Sequence, residues 1–174
     1  MSVAENNAGE MLREALFRSG IPTKALAAET HYSVDAYYSA MNGKRKIPQD
    51  ARNKIASVSI LAGLAVAAEA TGYKLFSFVT GDRHPQALIR RVEKEDQEAD
   101  AALKEIPFLL LDKNGPEDLS ESDLERLRNA GQETCDRIRA DLNLICEMDD
   151  TYRLGLIDYL IEKEKTANPA ATQK

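Results

Sequence analysis

Three consecutive cations, Lys44-Arg45-Lys46, stand between Gly43 and Ile47-Pro48. A basic loop of this kind suits phosphate oxygens, which it binds through charge and counterion release. The residues before it, from Pro22 onward, read as a short helix, a tight turn and a second short helix that stops at Gly43. That layout, with the basic loop behind it, is the one needed to place the end of a helix in the major groove of a DNA duplex.

Other chemistry has little support. The chain holds no Gly-rich phosphate loop, no nucleophile elbow and no HExxH zinc motif. His31 and His84 stand without Cys or acidic neighbours at metal-ligand spacing and are read as non-catalytic. Carboxylates are plentiful, but they fall on expected solvated helix faces. No enzyme, no metal and no cofactor is expected. Cys135 and Cys146 are about 16 Å apart along a shared helix, so they cannot bridge each other. Both are read as small apolar core residues.

The elements that must hold this segment are helical throughout. Helix 1 is expected from Ala8 to Ser19, with Met11, Leu12, Ala15 and Leu16 at helical spacing and Gly20 as its stop. Helix 2 begins at Pro22 or Thr23, and helix 3 follows Ser33 as N-cap. Pro48 opens a fourth helix, and an apolar fifth runs from about Val58 to Thr71. Lys74 to Thr80 is β-branched and aromatic, but a lone strand has no partner, so it reads as a packed connector.

Two long helices follow. The first is expected from Pro85 to about Ile106, then a linker over Pro107–Leu119 with a helical turn near Phe108–Leu111. Ser120 to Asp123 reads as a capping signal for a helix over Glu121–Glu147. Its Leu124, Leu127, Gly131, Cys135, Ile138, Leu142 and Ile145 come close to a coiled-coil seam. Two burials are open for that seam: an antiparallel hairpin within the chain, or pairing across a two-fold axis. A last helix is expected from Thr151 to about Lys163, with frayed or disordered ends at residues 1–7 and 166–174.

The Pro22 to Pro48 segment resembles the Cro/repressor-type helix-turn-helix, the XRE family of phage and bacterial regulators. The matching residues are Leu26-Ala27 in helix 2, Tyr37 and Met41 facing inward on helix 3, Asn42-Gly43 at its end, and the basic loop closed by Pro48. The Gly20-Ile21 junction also fits, and the likeness covers about residues 8–70. Where the family often has a small residue after helix 2, this chain has His31-Tyr32, and histidine reaches the left-handed region more readily than most residues.

The resemblance implies an all-α protein. A five-helix lambda-repressor-like domain would occupy residues 1–81, and a helical dimerisation or partner region 82–165. It implies base-facing positions at Ser33, Val34, Asp35, Tyr38 and Ser39, and phosphate contacts at Thr23, Lys24, Asn42, Lys44, Arg45 and Lys46. Asp35 has a second reading, as a first-turn carboxylate that favours the helix dipole. The expected partner is double-stranded DNA, bound by a homodimer on paired half-sites, in a regulator of phage or mobile-element origin.

Charge fits a basic front and an acidic back. Residues 1–91 carry 12 Lys/Arg against 8 Asp/Glu, and residues 92–174 carry 11 against 21. The alternative is a protein-interaction module, in which the fold is kept for packing and the acidic rear helices engage a host or phage protein. No signal peptide or membrane-length apolar run is evident, so the expected location is the cytoplasm, with no membrane partner.

Overall fold

The computed structural model describes residues 3–160, with side chains from residue 8 onward. Its regular structure is helical, and no strand occurs among the described residues. α1 (Val3–Arg18) starts five residues ahead of the expected Ala8, so backbone expected to fray is helical from Val3. The expected disordered tail at 166–174 lies outside the described residues.

The front of the molecule continues as α2 (Thr23–Thr30), α3 (Val34–Met41), α4 (Arg52–Ala56) and α5 (Ile60–Thr71). A single 3-10 turn at Gln49–Ala51 separates Pro48 from α4. α5 begins two residues later than expected, where the Ser59 hydroxyl accepts from the Ala62 N–H at 3.1 Å. Helical spacing puts Met11, Leu12, Ala15 and Leu16 of α1 on one buried face, against Leu61, Ala62 and Ala65 of α5. Leu12, Leu26, Tyr37, Ile55 and Leu61 are fully buried. Each such side chain contributes roughly 2 kcal/mol of hydrophobic stabilisation.

The connector after α5 contains a 3-10 turn at Lys74–Phe76 and is packed, as its apolar residues suggest. It leads to α6 (Pro85–Leu103), the short α7 (Ile106–Leu109) and α8 (Glu121–Tyr152). α6 and α8 form an antiparallel hairpin: Arg126 pairs with Glu105, and Arg137 with Asp100 and Asp96. α8 starts at a reciprocal cap, in which Ser120 Oγ accepts from the Asp123 N–H and Asp123 accepts from the Ser120 N–H. α8 then runs through Thr151 without a break, so no separate helix begins there. The chain turns at Arg153 and Gly155, both in the left-handed region, before α9 (Ile157–Leu160). The expected continuation to Lys163 lies outside the described residues.

The hairpin is not closed by the expected seam. α8 buries Ala130, Ala140, Asn143, Cys146 and Glu147, while Gly131, Cys135, Ile138 and Ile145 are exposed. Cys135 is therefore a surface thiol, unlike the buried Cys146. On α6 Leu103 is exposed, and Glu95 is buried beside Arg91 and Lys94. The cause lies in the connector. Asn143 takes the Val79 N–H at 3.2 Å and donates to the Ser77 carbonyl at 3.1 Å, and Arg139 donates to the Ser77 and Phe78 carbonyls. Each of those backbone groups left buried and unsatisfied would cost about 1–3 kcal/mol, comparable to what burying one exposed aliphatic side chain would gain. Among the described residues no helix is long and apolar enough to cross a membrane.

Candidate nucleic-acid interface

Local chemistry sets the α2–α3 pair. Leu26 and Ala27 are the buried residues of α2 and share the core with Tyr37 of α3. His31 ends α2 at φ 60, with its N–H directed to Ala28 O and the Tyr32 N–H bonded to Ala27 O at 3.0 Å. This pairing satisfies the last carbonyls of the helix and turns the chain sharply. Ser33 then caps α3, accepting from the Ala36 N–H at 3.2 Å.

One part-buried hydrogen bond links the two helices. Tyr37 is 0 % exposed and its hydroxyl meets Thr30 Oγ1 at 2.7 Å. Burial pushes the Tyr37 hydroxyl above the ordinary tyrosine value, with the Thr30 bond pulling the other way. Beside it, Tyr32 donates to Asp50, tying the turn to the segment ahead of α4. Lys54 of α4 pairs with Glu29 of α2 at 2.6 Å.

With Tyr37, Ala40 and Met41 turned inward, α3 presents Asp35, Tyr38 and Asn42 to solvent, and Tyr38 is 53 % exposed. Ser33 is exposed at the helix start, and Ser39 is half-buried on the same side. Val34 departs from the expectation. It lies three residues before Tyr37 and seven before Met41, so it shares their face and is half-buried against the core. Its remaining surface is at the edge of the exposed face, not at its centre.

The helix stops where expected. Gly43 takes φ 66, a conformation costly for residues with a Cβ, and the Lys44 and Arg45 N–H groups turn back to the Ser39 carbonyl. The far end of the loop is held by Glu69 of α5, which accepts from the Ile47 N–H and from Arg52 at 2.7 Å. Between these anchors Lys44, Arg45 and Lys46 are exposed, as is Lys24 on α2, while Thr23 is half-buried. None of these four cations pairs with an acidic side chain among the described residues. Basic residues nearby and on the hairpin do, as in Lys54–Glu29, Arg52–Glu69 and Arg137–Asp100. A cleft of about 510 Å³ opens behind the loop, between Ala8–Gly9 and the end of α5.

Two supporting residues carry no local sequence signal. Arg13 donates to the Met41 carbonyl at 3.0 Å and to Asn42 Oδ1 at 2.6 Å, so Asn42 is held in place rather than left loose. Gly9, one helical turn earlier, lies so close to α3 that a Cβ there would meet the Ala40 and Met41 carbonyl oxygens at 2.7 and 2.8 Å. Neither could be found without knowing that α1 crosses the end of α3. Comparison with protein-family models, curated proteins and solved structures finds no match to this chain.

Proposed function

We propose that this chain is a sequence-specific DNA-binding transcriptional regulator of the XRE helix-turn-helix type, from a phage or mobile element, that binds paired half-sites as a dimer. α2 and α3 form the helix-turn-helix, and α3 enters the major groove. The observation that carries the reading is the exposed row of Asp35, Tyr38 and Asn42 on α3, flanked by Lys24 and Lys44-Arg45-Lys46, which lack acidic partners among the described residues. Ser33, Tyr38 and Ser39 read base edges or adjacent phosphates, and Asp35 accepts from a cytosine amino group. Thr23, Lys24, Asn42 and the basic loop hold the backbone.

Selection of bound sites from random DNA with the purified protein tests this directly, and a two-fold symmetric motif is the expected result. Lys44→Ala with Arg45→Ala weakens binding to all sequences and lowers the salt slope by about 1–2. No detectable DNA binding at low salt would end the proposal.

A second reading, a protein-interaction module, is favoured by one observation. At the tip of the hairpin Phe108 and Leu111 are 81 % and 84 % exposed, beside acidic helices that suit a partner protein. It becomes the better account if DNA binding fails.

A further inference from the structure

The outward stripe of α8 has a pattern of its own. Gly131, Cys135, Ile138, Leu142 and Ile145 lie on the side of the helix opposite Ala140 and Glu147, which face the rest of the chain. Gly131, Cys135, Ile138 and Ile145 are exposed, Ile138 at 40 %, and Leu142 is half-buried. Their sizes are uneven: the small residues fall before Ile138 and the large ones after it. A parallel copy would set Gly131 against Gly131 and Ile145 against Ile145, a gap at one end and crowding at the other. An antiparallel copy turned about Ile138 sets Gly131 against Ile145 and Cys135 against Leu142, and Ile138 meets itself. Between Gly131 and Ile145 small then faces large, as close packing requires, while Leu127 and Leu124 beyond them meet Asp149 and Tyr152.

Charge agrees with that register. The same turn brings Arg128 of one copy beside Asp149 of the other, opposite in sign. Arg139, nearest the axis on that flank, is drawn back to the Ser77 and Phe78 carbonyls of its own chain, so no like pair meets there. From Leu124 to Tyr152 the helix spans about 42 Å, and two helices roughly 10 Å wide would hide on the order of 1,000 Å² in total, the lower bound for a specific interface.

We infer that two copies of this chain pair through α8, antiparallel, about a two-fold axis at Ile138. The interface is self-complementary, as two-fold symmetry demands. It supplies the contact for the dimer in the reading above and rests on that stoichiometry alone, not on any contact with DNA.

Disulfide trapping in the full-length chain tests the register. With Cys135→Ser removing the exposed thiol, Ile138→Cys gives a covalent dimer on mild oxidation and Leu142→Cys does not. Leu142→Cys with native Cys135 retained does cross-link. Equal trapping of Ile138→Cys and Leu142→Cys in the Cys135→Ser background would replace the antiparallel register with a parallel one. Absence of an Ile138→Cys cross-link, together with a monomer mass by sedimentation, overturns the pairing. Ile138→Glu sets like charges face to face and weakens dimerisation at least about 100-fold, with helical circular dichroism unchanged. All of these are read without DNA. A chain that pairs this way but ignores DNA sinks only the regulator reading, and one that binds paired half-sites without these cross-links sinks only the α8 contact.

Discussion

Arg18 on α1 donates to Glu147 on α8 at 2.7 Å, joining helices 129 positions apart in sequence. Asp150 sits 3.0 Å from the same guanidinium, and Glu14 shares its charge between Arg18 and Arg83. Arg83 in turn stacks over the Phe78 ring at 3.7 Å. The front of the molecule, the connector and the long helix therefore meet in one ionic cluster. Its loss is asymmetric. Arg18→Ala leaves Asp150 without its cation and Glu14 and Glu147 with Arg83 alone, and lowers unfolding free energy by about 3 kcal/mol, whereas Glu147→Gln, with Asp150 and Glu14 still in place, costs about half that. Urea denaturation of the two variants checks the order.

Tyr37 and Tyr38 are adjacent but have separate jobs. Tyr37→Phe removes the bond to Thr30 and costs about 1 kcal/mol in stability, with DNA affinity unchanged once the protein is folded. Tyr38→Ala leaves the melting temperature within about 2 °C and weakens specific over non-specific DNA binding. A melting curve and a competition binding assay on each variant separate the two roles. A large stability loss in Tyr38→Ala would place it in the packing and not on the DNA face.

The two cysteines should react very differently. Burial, with the charges of Asp150, Glu147 and Asp149 adding to it, pushes the Cys146 thiol up to about 12, whereas Cys135 is exposed. Thiolate is the reactive form, so Cys146 is inert at neutral pH while it stays folded. A disulfide reagent should spare Cys146 in native protein, whether or not Cys135 is covered by a second copy, and titrate both thiols in denaturant. Fast reaction of both in the native state would contradict the packing of α8 against α1.

The cap of α8 has a pH signature. The Ser120 hydroxyl and N–H hold the Asp123 carboxyl below its ordinary value. The unfolded chain then takes up the proton more readily. The cap's contribution is complete above the unfolded value and is lost as pH falls through the lower folded one. Asp123→Asn should melt lower than the native chain at neutral pH, and the difference should shrink below about pH 4. A difference independent of pH would show that the carboxylate charge plays no part.

Gly9 sets a limit on the approach of α1 to α3. A Cβ at that position meets backbone carbonyls that cannot step aside as a side chain could. Gly9→Ala should lower stability by about 2 kcal/mol, despite alanine's better helix propensity. Thermal melting measures it, and a neutral or stabilising result would mean that the two helices lie further apart.

Local signals were enough for much of this architecture. Gly43 after α3, the Ser33 and Ser120 caps and the i, i+4 rows of α1 act within a turn or two of chain, so the helical class and the starts of α2, α3, α6 and α8 could be read from residue order, whereas the Ser59 cap that starts α5 was not. The exposed face of α3 followed from Tyr37 and Met41 being its inward pair, although the same spacing carries Val34 partly inward with them. Tertiary contact decided the rest. Which side of α8 is buried depends on a connector about sixty residues earlier, whose Ser77 and Phe78 carbonyls accept from Asn143 and Arg139 on the inner side and leave the aliphatic row outside. Arg13 at Asn42, Gly9 against α3 and Arg18 beside Glu147 depend in the same way on where distant helices cross. Hydrophobic periodicity can say that a helix has an apolar stripe, but the choice of face is made by satisfying buried polar groups, and those are supplied by parts of the chain far away in sequence.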